Sequence, residues 1–82
     1  MYKAMIYITL KQSVLDPQGN AVKHALFSLG FDEVDEVRIG KYMEVTLEAE
    51  SRKMAEERVK EMCEKLLANT VIEDYRFDLM EG

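Results

Sequence analysis

The sequence predicts an α+β domain with the β-α-β-β-α-β, ferredoxin-like order: a four-stranded antiparallel sheet with two helices on one face. Three features predict it. Residues 2–11 alternate apolar and polar side chains, the mark of a half-buried strand. Residues 17–29 and 52–67 carry apolar side chains at helical spacing. Further short alternating runs fall at 37–39, 43–47 and 75–79. Right-handed connections between elements in this order leave few other topologies. Residues 1–82 read as one domain, with no linker, low-complexity run or internal repeat.

In the first strand Tyr2, Ala4, Ile6, Ile8 and Leu10 share one face. Asp16 follows as a helix cap, and Pro17 suits the first helical position because its missing N–H is not needed there. Val22, Ala25, Leu26 and Leu29 form the apolar side of that helix, which Gly30 ends. Val37 and Ile39 predict a second strand, with Gly40-Lys41 as a two-residue hairpin turn. Met43, Val45 and Leu47 make the third strand. Ser51 caps the second helix, whose stripe is Ala55, Val59, Met62, Cys63, Leu66 and Leu67, and whose other face is densely charged. Asn69-Thr70 closes it, and Tyr75, Phe77 and Leu79 alternate in the last strand.

Composition narrows the function. Of 82 residues, 48% are hydrophobic and 33% charged, which is apolar enough for a core and excludes a disordered chain. The net charge of −5, with Lys and Arg mixed among Glu, argues against nucleic acid as a partner. A single cysteine, Cys63, rules out an internal disulfide and fits a reducing compartment. The first ten residues lack the long apolar run of a signal peptide, and no stretch is long enough to span a membrane. The expected location is therefore cytoplasmic.

No catalytic constellation emerges. His24 is the one histidine, and Cys63 sits in an apolar helical stripe, where a cysteine acts as a small core residue. One Cys and one His are too few for a zinc site, so no metal is expected. The loop after the first strand, Gln12-Ser13-Val14-Leu15, has neither the glycine nor the arginine that a phosphate cradle needs, which disfavours an acylphosphatase-like hydrolase. Tyr7 alone is too little for stacking RNA bases.

Two positions resist a purely local explanation. Gly19 lowers helix propensity by about 1 kcal/mol relative to Ala, so a glycine in a first helical turn signals close approach by another backbone or a ligand. Glu73 and Tyr75 have no evident task in a plain helix-to-strand connection.

Three segments carry a family likeness: Leu15-Asp16-Pro17-Gln18-Gly19, Val37-Arg38-Ile39-Gly40-Lys41, and Ala68-Asn69-Thr70-Val71-Ile72-Glu73-Asp74-Tyr75. With them the chain resembles, over essentially its whole length, the PurS family, the small subunits of phosphoribosylformylglycinamidine synthase in purine biosynthesis. One departure is Thr70, where the family often has proline, which bears on the rigidity of that turn. The resemblance implies a small, oligomeric subunit without activity of its own. Such a subunit joins a large synthase subunit to a glutaminase subunit and helps ammonia pass between them. It implies no cofactor in this chain; ATP, Mg and glutamine are expected to be used by the partner subunits. A different class of function, a regulatory domain binding an amino acid or nucleotide between paired copies, is the alternative.

Two surfaces are expected. Partner subunits should meet the helix-entry loop and outer stripe of the first helix, at Asp16, Gln18, Gly19, His24 and Phe27, joined by Asn69 and Glu73. The sheet face without helices should present Met5, Tyr7, Thr9, Thr46, Ile72 and Met80 among charged residues, an apolar-polar mixture suited to self-association as a dimer, with a tetramer as its extension.

Overall fold

The computed structural model describes residues 1–82. Alternation organises the sheet. The first strand, β1 (Tyr2–Leu10), lies between β2 (Gly40–Leu47) and β3 (Glu73–Glu81), antiparallel to both. Tyr2 stands opposite Leu47 and Glu81, Ile6 opposite Met43 and Phe77, and Thr9 opposite Gly40 and Asp74. Tyr2, Ala4, Ile6 and Ile8 therefore share one face with Val45, Phe77 and Leu79, and that face forms the core.

Helix α2 (Arg52–Met62) lies over β1 and β3. Ser51 caps it, its hydroxyl accepting a hydrogen bond from the Met54 N–H at 3.2 Å. Ala55, Val59 and Cys63 are fully buried against the strand residues. Burying a side chain such as Val59 stabilises the fold by about 1.5–3 kcal/mol. The last turn, Cys63–Leu67, is π-helical, the Ala68 N–H reaching the Cys63 carbonyl at 2.9 Å. The sequence pattern gives no sign of this widening. One extra residue in the turn brings Ala68 into the core and leaves Leu66, expected in the buried stripe, 81% exposed.

Two expectations are corrected. The sheet has three strands, so the element order is β-α-β-α-β. Val37–Ile39 is not a strand, and Gly40-Lys41 is not a turn but the start of β2. Backbone bonding explains this: the Ile39 N–H that a hairpin would use is held by the Asp16 carboxylate.

The second correction concerns α1 (Pro17–Ser28). Its ends are as expected. Asp16 caps it, Pro17 opens it, and Gly30 leaves it at φ 96°. Phe31 N–H to Leu26 C=O and Gly30 N–H to Phe27 C=O, both 3.0 Å, complete a Schellman closure. The helix does not, however, lie on the sheet. Gly19 is its one buried residue, while Val22 and Leu29 are 39% and 74% exposed. The molecule is correspondingly elongated, 51 × 27 × 14 Å. No helix is long and apolar enough to cross a membrane.

Candidate functional site

The turn between β1 and α1 is built on Asp16, which is only 5% exposed. Its Oδ1 accepts the Gly19 N–H and its Oδ2 accepts the Ile39 N–H, both at 2.9 Å. These bonds, that from Ile39 first, hold the carboxyl below its usual range. Gly19 meets the Val37 carbonyl directly, which is the close backbone approach the glycine signalled. Arg38 then donates from Nη2 to the carbonyls of Leu10 and Lys11, both at 2.9 Å. The second segment is thereby fastened to the first, leaving no register for a hairpin.

The third segment folds on itself. The Asn69 N–H donates to Glu73 Oε1 at 2.7 Å, and the Asn69 carbonyl accepts the N–H groups of Ile72 and Glu73. The other Glu73 oxygen lies 3.5 Å from Lys41 Nζ. The Lys11 N–H reaches the Ile72 carbonyl at 2.9 Å. Glu73 thus has a structural task, as does Tyr75, whose hydroxyl donates to Glu64 at 2.9 Å. Burial and that carboxylate push the Tyr75 hydroxyl up to about 12.

All three segments converge at one end of the sheet. Asp16, Gln18, Ile39, Lys41 and Glu73 line a cleft of about 180 Å³ there. Lys41 and Arg38 are functional candidates that sequence reasoning missed; their signal was their place on either side of Gly40 within a segment already singled out. His24 and Phe27 are not drawn into this cleft. They sit on exposed α1, where Lys23 Nζ lies 5.7 Å from the centre of the Phe27 ring. Asn69 is beside Glu73 in the turn.

The sheet face away from α2 carries Met5, Tyr7, Thr9, Thr46 and Met80, with Lys3, Glu44, Arg76 and Asp78 between them. Ile72 is not on it; the residue lies in the turn before β3, since the strand begins one residue later. The rings of Tyr7 and Tyr42 are 5.2 Å apart, and the Arg76 guanidinium lies 4.1 Å over Tyr7. The Tyr42 hydroxyl donates to Glu44 at 2.7 Å, which pushes its pKa up to about 12. Tyr7, Tyr42 and Arg76 edge a depression of about 410 Å³.

Neither surface holds a nucleophile beside a base. Cys63 is fully buried, and burial together with Glu64 pushes its thiol up, away from thiolate chemistry. What the cleft offers is fixed backbone geometry and paired charges at a defined edge, the makings of a docking surface.

Comparison with known proteins identifies the family. The profile of the PurS family, described as phosphoribosylformylglycinamidine (FGAM) synthase, matches residues 3–81. The PurS subunit of Bacillus subtilis (strain 168) is 63% identical over 81 residues, spanning 99% of this chain and 95% of the relative. The crystal structure of Methanocaldococcus jannaschii PurS superposes with a TM-score of 0.89 at 44% identity, covering 100% of this chain and 99% of that one. A chain in the structure of PurLQS from Thermotoga maritima does so with a TM-score of 0.89 at 33% identity, covering 96% of each. The chain belongs to the PurS family, the small subunit of phosphoribosylformylglycinamidine synthase.

Proposed function

We propose that this chain acts in purine biosynthesis as the non-catalytic subunit that bridges the large synthase subunit and the glutaminase subunit and assists ammonia transfer between them. The observation that carries this reading is the match over 96% of the chain to a protein solved within PurLQS. The geometry supports it: three separated segments are fastened together at one end of the sheet, with no catalytic group among them. ATP, Mg and glutamine are then used by the partner subunits. Asp16, Gln18, Gly19, Asn69 and Glu73 form one contact edge and His24 and Phe27 the other. The face bearing Met5, Tyr7, Thr9, Thr46 and Met80 serves self-association into a dimer or tetramer in the cytoplasm.

Reconstitution tests this. Large and glutaminase subunits mixed without the chain should show little glutamine-dependent synthesis, and adding the chain should restore it. Full glutamine-dependent turnover in its absence, or no co-purification with either subunit, overturns the reading.

A further inference from the structure

The sheet face turned away from α2 is stepped at one end. Two successive rungs of side chains on that face differ sharply in size. Tyr42, Tyr7 and Arg76 stand abreast across β2, β1 and β3 in one rung, and Gly40, Thr9 and Asp74 in the next. The large rung is a wall. Its two rings are 5.2 Å apart at an interplanar angle of 43°, and the Arg76 guanidinium lies 4.1 Å over Tyr7. The small rung is a floor, because Gly40 has no side chain and that of Thr9 is short. Nor can the floor be filled at Gly40, where a Cβ would collide with the Ile8 carbonyl oxygen and crowd the Thr9 methyl. Strand register thus makes the depression of about 410 Å³, a volume typical of small-molecule sites.

The groups around this step select a kind of ligand. Asp74 bounds one side. Its Oδ1 accepts a hydrogen bond from Lys11 Nζ at 3.2 Å, which leaves Oδ2 to accept from a molecule in the depression. Gly40 and Asp74 are two strand spacings apart, about 10 Å, and successive rungs on one face lie about 7 Å apart. A planar fused ring fits that floor. Its face can lie on the Tyr42 ring, which is 53% exposed, while an N–H at its edge reaches Asp74. The charges are already balanced: Asp74 pairs with Lys11, Arg76 lies 3.7 Å from Asp78, and Lys41 lies 3.5 Å from Glu73. No cation is left over for a phosphate, so the step suits a neutral ring.

We infer that this step binds a neutral, planar nitrogen heterocycle with an N–H donor, of the nucleobase or nucleoside kind, stacked on Tyr42 and held at its edge by Asp74. The site goes beyond the proposed function and does not rest on it. It shares Tyr7 and Thr9 with the face assigned to self-association, whose Met5, Thr46 and Met80 lie on the rungs farther along.

Titration of the protein with adenosine, followed through its backbone amide resonances, tests this. Saturable shifts should cluster at Tyr7, Thr9, Gly40, Tyr42, Asp74 and Arg76. Tyr42→Phe keeps the stacking ring and should bind as the parent does. Tyr42→Ala should bind about tenfold more weakly, as loss of a base-stacking ring does. Both positions are exposed, so circular dichroism should hold for Tyr42→Ala and for Asp74→Ala.

The edge contact has its own readout. Asp74→Ala should also bind adenosine about tenfold more weakly. N6,N6-dimethyladenosine, which lacks the amino N–H, should bind the parent as weakly as adenosine binds that variant. AMP should bind no more tightly than adenosine. The inference is overturned by the absence of saturable shifts at low millimolar adenosine, by shifts clustered elsewhere, or by equal binding to the parent and Tyr42→Ala. A clear gain in affinity from the phosphate of AMP overturns it as well, because the recognised group would then be an anion and not a neutral ring.

Discussion

Gly19 and Val37 touch backbone to backbone: a Cβ on Gly19 would collide with the Val37 carbonyl oxygen and crowd the Asp16 carboxylate. Neither neighbour can give way, because the carbonyl is main chain and the carboxylate is held by two N–H donors. Gly19→Ala should therefore destabilise the protein despite alanine's better helix propensity, by about 1–3 kcal/mol. At this size that lowers Tm by roughly 4–8 °C per kcal/mol. Thermal unfolding of the variant checks it; an equal or higher Tm would mean that the clamp yields.

Asp16 should set part of the acid limb of stability. Its folded pKa is depressed below its ordinary value, chiefly by the Ile39 N–H and then by the Gly19 N–H. The stabilisation is present above the unfolded value of about 4 and is lost as pH falls through the folded one. Asp16→Asn cannot bind both N–H groups and does not titrate, so it should be less stable at neutral pH and should lose less stability on acidification. Denaturant midpoints for both proteins between neutrality and strong acid decide this, and parallel curves would rule the carboxylate out.

The alkaline limb has a different origin. Tyr42 and Tyr75 each donate to a carboxylate, Glu44 and Glu64, and both ionise only near 12. A folded pKa raised above the unfolded value of about 10 gives stability that is fully present below 10 and is lost as pH rises through 12. Ultraviolet titration should show these two phenols lagging, with Tyr42→Phe and Tyr75→Phe each removing one late step. Titration of all phenols together near 10 in the folded protein would contradict the geometry.

Phe27→Glu addresses the outward side of α1. Phe27 is 38% exposed, lies outside the hydrophobic core and has Lys23 beside its ring, so circular dichroism and Tm should stay close to parental values. A charge there would need desolvation in a packed interface, so association with the other synthase subunits should weaken by about 2 kcal/mol or more. Binding at parental affinity would free this surface of that role.

Much of this was legible in the sequence. β1, both helix caps, the Gly30 exit and the strand runs at 43–47 and 75–79 follow from alternation and capping chemistry, which are local; the structure extends those strands to Gly40–Leu47 and Glu73–Glu81. The fourth strand does not follow, because Val37 and Ile39 alternate equally well in a strand or in an extended connection. What decides is where the Ile39 N–H goes, and it goes to a side chain 23 residues away. The apolar side of α1 was legible too, but periodicity marks a side to be covered without saying which molecule covers it. Glu73 and Tyr75 seemed free because their partners, Lys41, the Asn69 N–H and Glu64, meet them through the turn and the adjacent helix. Leu66 was misplaced because a π-helical turn shifts the stripe by one residue.

The position of β1 at the centre of the sheet governs how this protein comes into being. The ribosome makes that strand before α1, and one of its two neighbours only after α2, Tyr2 waiting for Glu81 and Ile6 for Phe77. Pairings so distant along the chain are slow to form, because loop closure is paid before any contact rewards it. Until β3 emerges, one whole edge of β1 is an unpaired strand bearing Ala4, Ile6 and Ile8, open to a neighbouring nascent chain. Yield in the cell should therefore depend on how quickly Tyr75, Phe77 and Leu79 arrive.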